Sequence, residues 1–172
     1  LSKGLLPSSI KTAAVVGFPS GAHNPLVKSR EAQQACEHGA NEIDMVTNLA
    51  FVSTANWSAI TDEVSAVRSA IPSGVILKVI IESALWSDEQ IIAVCSAAVQ
   101  GGADFVKTST GFHKSGGASI ANVQLMRKTV GETIGVKASG GIRTYADAIA
   151  MIDAGASRIG ASASRIILAE AQ

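Results

Sequence analysis

The sequence has no surplus of either charge. Its 172 residues hold 14 basic and 14 acidic side chains, so no net positive field argues for nucleic acid and no polybasic run argues for an anionic membrane. Trp57, Trp86 and Tyr145 form no series on which bases could stack. Only two cysteines occur, Cys36 and Cys95. Both fall in expected helices, where a small buried thiol is the plain reading; neither forms a metal-ligand spacing, and a reduced, cytoplasmic setting fits. No apolar run is long enough to span a bilayer, and the opening Leu1-Ser2-Lys3-Gly4 has no signal-peptide pattern. HExxH, a Walker loop, GxGxxG after a first strand and GxSxG are all absent. His23, His38 and His113 are scattered, His38 at a helix end and the other two in loops, where exposure is expected before catalysis.

What is present is a core: 47% of the residues are hydrophobic, enough for one domain over residues 1–172. The first residue is not Met, which suggests a chain that begins part-way through a longer one. Strand-like runs at residues 11–16, 42–46, 75–81, 103–109, 134–139 and 157–161 alternate with helical spacings. Asn24 with Pro25, Asn56, Ser87 with Gln90, Ser119, and Thr144 with Asp147 mark the helix starts. Residues 47–55 read as irregular. A junction recurs at Gly39-Ala40-Asn41, Gly102-Ala103-Asp104 and Gly155-Ala156-Ser157, a helix-ending glycine before each strand.

Six strands alternating with helices imply a parallel sheet covered by helices, either open and doubly wound or part of an eight-stranded barrel. Side-chain parity favours the barrel. Lys78 and Glu82 fall opposite Leu77, Val79 and Ile81; Lys107 opposite Val106; Lys137 opposite Val136 and Ala138; Glu42 and Asp44 opposite Ile43 and Met45. An open sheet meets helices on both faces and has no place for charges on four strands, whereas the mouth of a barrel does. Charged groups gathered at such cost point to chemistry.

Sites in parallel α/β folds lie beyond the C-terminal strand ends. There the chain places Thr110-Gly111, Gly140-Gly141-Ile142-Arg143 and Gly160-Ala161-Ser162. Glycines let backbone N–H groups approach an anion, and the Ser162 hydroxyl adds a donor, so a phosphate fits. Arg143 can reach that anion or stay solvated at its helix start. An amine attacks a carbonyl only when unprotonated, and burial beside a second ammonium favours that form. With Asp44 as an acid/base group, the lysines suit Schiff-base chemistry. Spacing alone leaves Lys78, Lys107 and Lys137 open as the nucleophile.

These stretches resemble the deoxyribose-phosphate aldolases, a class I aldolase family. The resemblance rests on Glu42-Ile43-Asp44-Met45-Val46, Leu77-Lys78-Val79-Ile80-Ile81-Glu82, Ala103-Asp104-Phe105-Val106-Lys107-Thr108-Ser109-Thr110-Gly111, Val136-Lys137-Ala138-Ser139-Gly140-Gly141-Ile142-Arg143 and Arg158-Ile159-Gly160-Ala161-Ser162, and it covers nearly the whole chain. It implies a TIM-type (β/α)₈ barrel in which Lys107 forms the Schiff base, Lys137 lowers its pKa and relays protons, and Asp44 is a further proton donor or acceptor. Lys78 becomes a supporting residue of the site. The implied reaction is reversible cleavage of 2-deoxy-D-ribose 5-phosphate to D-glyceraldehyde 3-phosphate and acetaldehyde, a step of deoxyribonucleotide catabolism, with no metal and no organic cofactor. The implied partner is a small phosphorylated sugar, and a homodimer is compatible with this reading.

The chain departs from the family pattern in two places. Six strands stand where the resemblance implies eight, the first two and their helix being absent, so an open barrel with two exposed strand edges is expected. Ala163 stands where family members often carry a second serine. The alternatives are another phosphate-binding barrel, an isomerase or synthase using the lysines electrostatically, or a non-catalytic fragment of the aldolase.

Overall fold

Six short runs of apolar and small residues form the six parallel strands of one sheet in a computed structural model that describes residues 6, 7 and 9–172. They are β1 (Ala13–Val16), β2 (Glu42–Val46), β3 (Ile76–Ile80), β4 (Phe105–Lys107), β5 (Gly135–Ser139) and β6 (Arg158–Gly160), and each pairs with the next in chain order. The opening residues 1–4 lie outside the described residues. The connecting helices are α1 (Pro25–Glu37), α2 (Leu49–Ser53), α3 (Trp57–Ala70), α4 (Asp88–Gln100), α5 (Ile120–Val130) and α6 (Tyr145–Asp153), with α7 (Ser164–Glu170) after β6.

The helix starts follow the capping residues. The Asn24 carboxamide accepts from the Leu26 N–H, Asn56 from Ala59 and Ser119 from Asn122. Reciprocal capping boxes close at Ser87 with Gln90 and at Thr144 with Asp147, in each case satisfying donors that the first turn leaves free. The three repeat junctions hold Gly39, Gly102 and Gly155 at φ of 97°, 97° and 108°, the left-handed region that a Cβ disfavours. The structure departs from the sequence expectation at α2. Asn48 caps a five-residue helix there, accepting from the Ala50 N–H, and five residues are too few for helical periodicity to show. Strand ends also retract by one or two residues, as at β1, β3 and β6.

Register turns the expected parity into a wall of charge. Asp44 stands opposite Lys78, Ile80 opposite Lys107, and Lys107 opposite Lys137. The other face of these strands, with Ile43, Met45, Leu77, Val79, Val106, Val136 and Ala138, is fully buried. It packs in one apolar cluster with Ile60, Val64 and Val67 of α3, Ile91 and Cys95 of α4, and Val123 and Met126 of α5.

The charged face is concave. Neighbouring strands lie about 4.8 Å apart, so three steps across a flat sheet span roughly 14 Å, more than a lysine and an aspartate standing off a flat surface bridge. Yet Lys137 on β5 lies 2.7 Å from Asp44 on β2, and Arg158 on β6 lies 2.6 Å from Glu42 on β2. The sheet therefore curls as a barrel wall does, which decides against the open doubly wound alternative. β1 and β6 are its outer strands, and Val15 of β1, which shares the parity of Asp44, is 46% exposed.

Candidate active site

Asp44 is the centre of the concave face. Its Oδ1 lies 2.7 Å from the Lys78 ammonium, and its Oδ2 lies 2.9 Å from Lys107 and 2.7 Å from Lys137. Strand geometry produces this convergence: Lys107 and Lys137 occupy the same register level on adjacent strands, and the curl brings both to one oxygen. Lys78 is fully buried and reaches Glu42 as well, at 2.6 Å. Glu42 in turn holds the Arg158 guanidinium, which stacks over the Phe105 ring at 5.1 Å.

Burial on its own would raise the Asp44 pKa, but the Lys107 and Lys137 ammonium groups outweigh it and hold the carboxyl well below the usual carboxylate range. The Lys137 ammonium is lowered from 10.5, first by desolvation and then by the ammonium groups of Lys107 and Lys78, with Asp44 opposing. Two amines share one carboxylate oxygen. The arrangement makes proton exchange between them a matter of small displacements.

Lys107 and Lys137 reach a cleft of about 420 Å³ whose rim is Thr110, Gly111, Gly140, Gly141, Arg143 and Ser162, with Gly160 and Ser139 beside them. Among the described residues, the N–H groups of Gly111, Gly140, Gly141 and Ser162 have no protein acceptor, so backbone donors are available to an anion. Gly140 and Gly141 sit at φ of 86° and 83°. A Cβ at Gly117 would stand 2.2 Å from the Gly140 carbonyl oxygen, so the loop before α5 packs against the rim only without a side chain. The ends of β4 and β5 are tied together. The Thr108 hydroxyl donates to the Ser139 carbonyl at 3.1 Å and accepts its N–H at 3.0 Å, and the Ser139 hydroxyl donates to Ser109 C=O at 2.7 Å.

Of the residues singled out in the sequence, Asp44, Lys107 and Lys137 meet at the floor of the cleft, and Thr110, Gly111, Gly140, Gly141, Arg143, Gly160 and Ser162 line it. Lys78 is not brought to the cleft surface: it lies behind Asp44, closed off by two carboxylates. The contacts of three residues are not legible in the sequence. Arg158 was seen only as part of the last strand, and its partner Glu42 stands 116 residues away. Phe112 lines the cleft and meets Phe18 edge-on at a 5.3 Å centroid distance. Glu82 accepts from Thr110. Among the described residues no three His, Cys, Asp or Glu side chains converge to hold a metal ion, and no helix is long and apolar enough to cross a membrane.

A family model described as DeoC/LacD family aldolase matches residues 7–170. The chain is similar to the deoxyribose-phosphate aldolase of Kocuria rhizophila, 55% identical over 163 residues that make up 95% of this chain and 75% of that protein. It is 52% identical to the corresponding protein of Corynebacterium diphtheriae, over 96% of this chain and 76% of the other. Among solved structures, an aldolase called QR15 superposes with a TM-score of 0.91 at 37% identity, covering 96% of this chain and 74% of that one. A deoxyribose phosphate aldolase from Aeropyrum pernix, described as having a unique tetrameric structure, does so with a TM-score of 0.85 at 37% identity, over 94% of this chain and 68% of its own.

Proposed function

The chain belongs to the DeoC/LacD family of aldolases, and from that premise we propose that it reversibly cleaves 2-deoxy-D-ribose 5-phosphate to D-glyceraldehyde 3-phosphate and acetaldehyde through a lysine Schiff base. The observation that carries the reading is the meeting of two lysines on one Asp44 oxygen, at the floor of a cleft rimmed by free backbone donors.

In this mechanism the neutral Lys107 amine attacks C1 of the open-chain sugar. The carbinolamine takes up a proton and loses water to give an iminium ion. A base then removes the C3 hydroxyl proton, the C2–C3 bond breaks, and its electrons flow into the iminium as an enamine while the three-carbon aldehyde phosphate departs. Protonation of the enamine at C2 and addition of water release acetaldehyde and restore the amine. Lys137, lowered by burial and by neighbouring ammonium groups, suits the relay of these protons, and Asp44 suits a role as their acceptor and donor. The phosphate lies against Gly111, Gly140, Gly141, Gly160 and Ser162, with Arg143 at the rim. Lys78 supports the site by holding Asp44 from behind.

The single barrel-type domain, self-association of the chain and a cytoplasmic setting belong to the same proposal. The description of the Aeropyrum pernix enzyme as tetrameric supports self-association, and the two free thiols suit a reducing compartment.

Borohydride added with acetaldehyde tests the covalent step. Reduction is expected to leave a two-carbon adduct on Lys107, located by mass spectrometry of peptides, and Lys107→Leu is expected to remove both adduct and turnover. An adduct on Lys78 or Lys137 instead would reassign the nucleophile. No adduct on any lysine, with turnover intact, would move the chemistry to an electrostatic isomerase or synthase mechanism.

A further inference from the structure

Glu82 lies one residue beyond Ile81, just past the end of β3, and is 1% exposed, yet among the described residues no cation lies within ion-pair distance of it. A buried carboxylate needs compensation. It comes from a single residue across the sheet: the Thr110 hydroxyl donates to Oε2 at 2.7 Å and the Thr110 N–H lies 3.2 Å from Oε1. The same hydroxyl oxygen accepts the Phe112 N–H at 3.1 Å. Glu82 itself sits at φ 53°, ψ 55°, a left-handed backbone conformation that residues with a Cβ rarely adopt. Such a conformation persists where its surroundings hold it, and it is concentrated near functional sites.

The hydrogen bonds on Thr110 change what that residue can do. Its hydroxyl proton and its N–H are both directed to Glu82, so neither is left for an anion in the cleft. The next N–H along the chain, that of Gly111, has no protein acceptor among the described residues. We infer that Glu82 is a positioning residue for phosphate recognition: its carboxylate takes both Thr110 donors and so fixes the turn through which Gly111 offers its N–H to the substrate's phosphate. Thr110 is then the link between Glu82 and the anion rather than a ligand of the anion. This inference rests on the aldolase reading for the identity of the phosphate ester, but not for the geometry of the loop.

Two effects of Glu82 oppose one another. Its negative charge behind the loop disfavours an incoming anion, whereas its hydrogen bonds shape the loop that receives it. Substitution separates them. Glutamine keeps the shape: its carbonyl oxygen accepts the Thr110 N–H, its amide donates to the hydroxyl, and the hydroxyl reverses from donor to acceptor. Alanine removes both charge and shape. If shape governs, Glu82→Ala raises KM for 2-deoxyribose 5-phosphate by about ten-fold, the scale of a lost hydrogen bond to a charged group. Glu82→Gln then binds it as well as the parent or better. If charge governs, both variants bind the phosphate ester more tightly, and the inference is overturned.

The experiment compares the parent chain, Glu82→Ala, Glu82→Gln and Thr110→Val, with 2-deoxyribose 5-phosphate and unphosphorylated 2-deoxyribose as paired substrates. Inorganic phosphate is titrated separately against the Gly111 amide resonance. The expected result is a KM effect confined to the phosphorylated sugar, a parallel loss of inorganic phosphate affinity in Glu82→Ala, and rescue by Glu82→Gln. Adding Thr110→Val to Glu82→Ala should cost little more, because both act through one contact. Equal losses in kcat/KM for both sugars would make Glu82 a general structural residue and overturn the inference. Should Glu82→Ala fail to fold, Thr110→Val against Glu82→Gln decides, the first weakening phosphate and the second not. A parent chain that binds inorganic phosphate but forms no imine with acetaldehyde would sink the aldolase reading while phosphate affinity still judged Glu82. A parent that binds no phosphate would overturn the Glu82 inference whatever its imine chemistry.

Discussion

Two clusters of buried charge meet at β2, and they are built differently. At its C-terminal end, the Lys28 ammonium of α1 lies 2.8 Å from the Glu63 carboxylate of α3, with both side chains wholly buried. Lys28 also donates to the Val46 carbonyl at 2.8 Å, and Glu63 accepts the Thr47 hydroxyl at 2.8 Å and the Asn48 N–H at 2.7 Å. One cation meets one anion, both are further satisfied by the end of the strand, and neither lines the cleft. On the inner face of β2, Asp44 and Glu42 face Lys78, Lys107, Lys137 and Arg158. Four cations there share two carboxylates, and two of the four reach the cleft. Burial of charge thus does not by itself mark a site. A balanced, saturated pair is a brace, whereas an unbalanced cluster open on one side retains positive charge for a substrate and protons that can move.

The brace can be broken without touching the site. Lys28→Met leaves the Glu63 carboxylate buried without its cation, which is expected to cost about 3–5 kcal/mol of stability. Replacing both partners, Lys28→Met with Glu63→Leu, should return much of that loss, because no isolated charge remains. Denaturant melts measure the stabilities, and turnover per folded molecule should change far less than the midpoint. A Lys28→Met protein of normal stability but poor turnover would erase the distinction between the two clusters.

Asp44→Asn makes the reverse prediction. Loss of an acid/base group and of the anion on which the amines converge is expected to lower turnover by about 10²–10⁴-fold. It should also change acid stability in a defined way. The Asp44 carboxyl is held well below its ordinary 3.8 in the folded protein. Its contribution is therefore fully present above 3.8 and is lost as pH falls through the lower folded value, so the parent loses this increment in acid and Asp44→Asn does not. Stability followed from pH 5 downward separates the two proteins. An unchanged acid limb would mean that the lysines do not hold Asp44 as the distances imply.

How much of this was legible in the sequence follows from the range of each interaction. The strand runs and their parity are local, and they placed Asp44, Lys107 and Lys137 on one face before register was known. The caps at Asn24, Ser87 and Thr144 are equally local. The brace was not seen, although Glu63 falls among the inward Ile60, Val64 and Val67 of α3, a spacing that flags a buried carboxylate. Its partner lies 35 residues away on another helix, and nothing in either segment names the other. Glu42 with Arg158, and Glu82 with Thr110, are hidden for the same reason, and the first pair depends also on how tightly the sheet curls, since it joins β2 to β6. The role of Lys78 was blurred because parity gives the face of a side chain but not its depth. Only the folded structure shows it fully buried between Asp44 and Glu42 and away from the cleft.

Depth is also what separates Lys137 from the lysine of the brace, and pH tests that separation with the smallest expected change. Both amines are lowered by burial, but Lys28 faces the carboxylates of Glu63 and Glu31, whereas Lys137 is further opposed by the ammonium groups of Lys107 and Lys78. With its folded value below 10.5, Lys137 binds fewer protons folded than unfolded across the interval between that value and 10.5, so stability rises with pH through this window and the penalty is complete beneath it. Lys137→Met removes the titrating group, and the slope it contributes should vanish from a series of melts across that range. If Lys137 also relays protons in turnover, the ascending limb of the pH–rate profile should move upward in Lys137→Met, while Lys28→Met, assayed as folded protein, leaves it in place. A limb that stays put in Lys137→Met would assign the proton relay to another group and leave Lys137 as a static neighbour of Asp44.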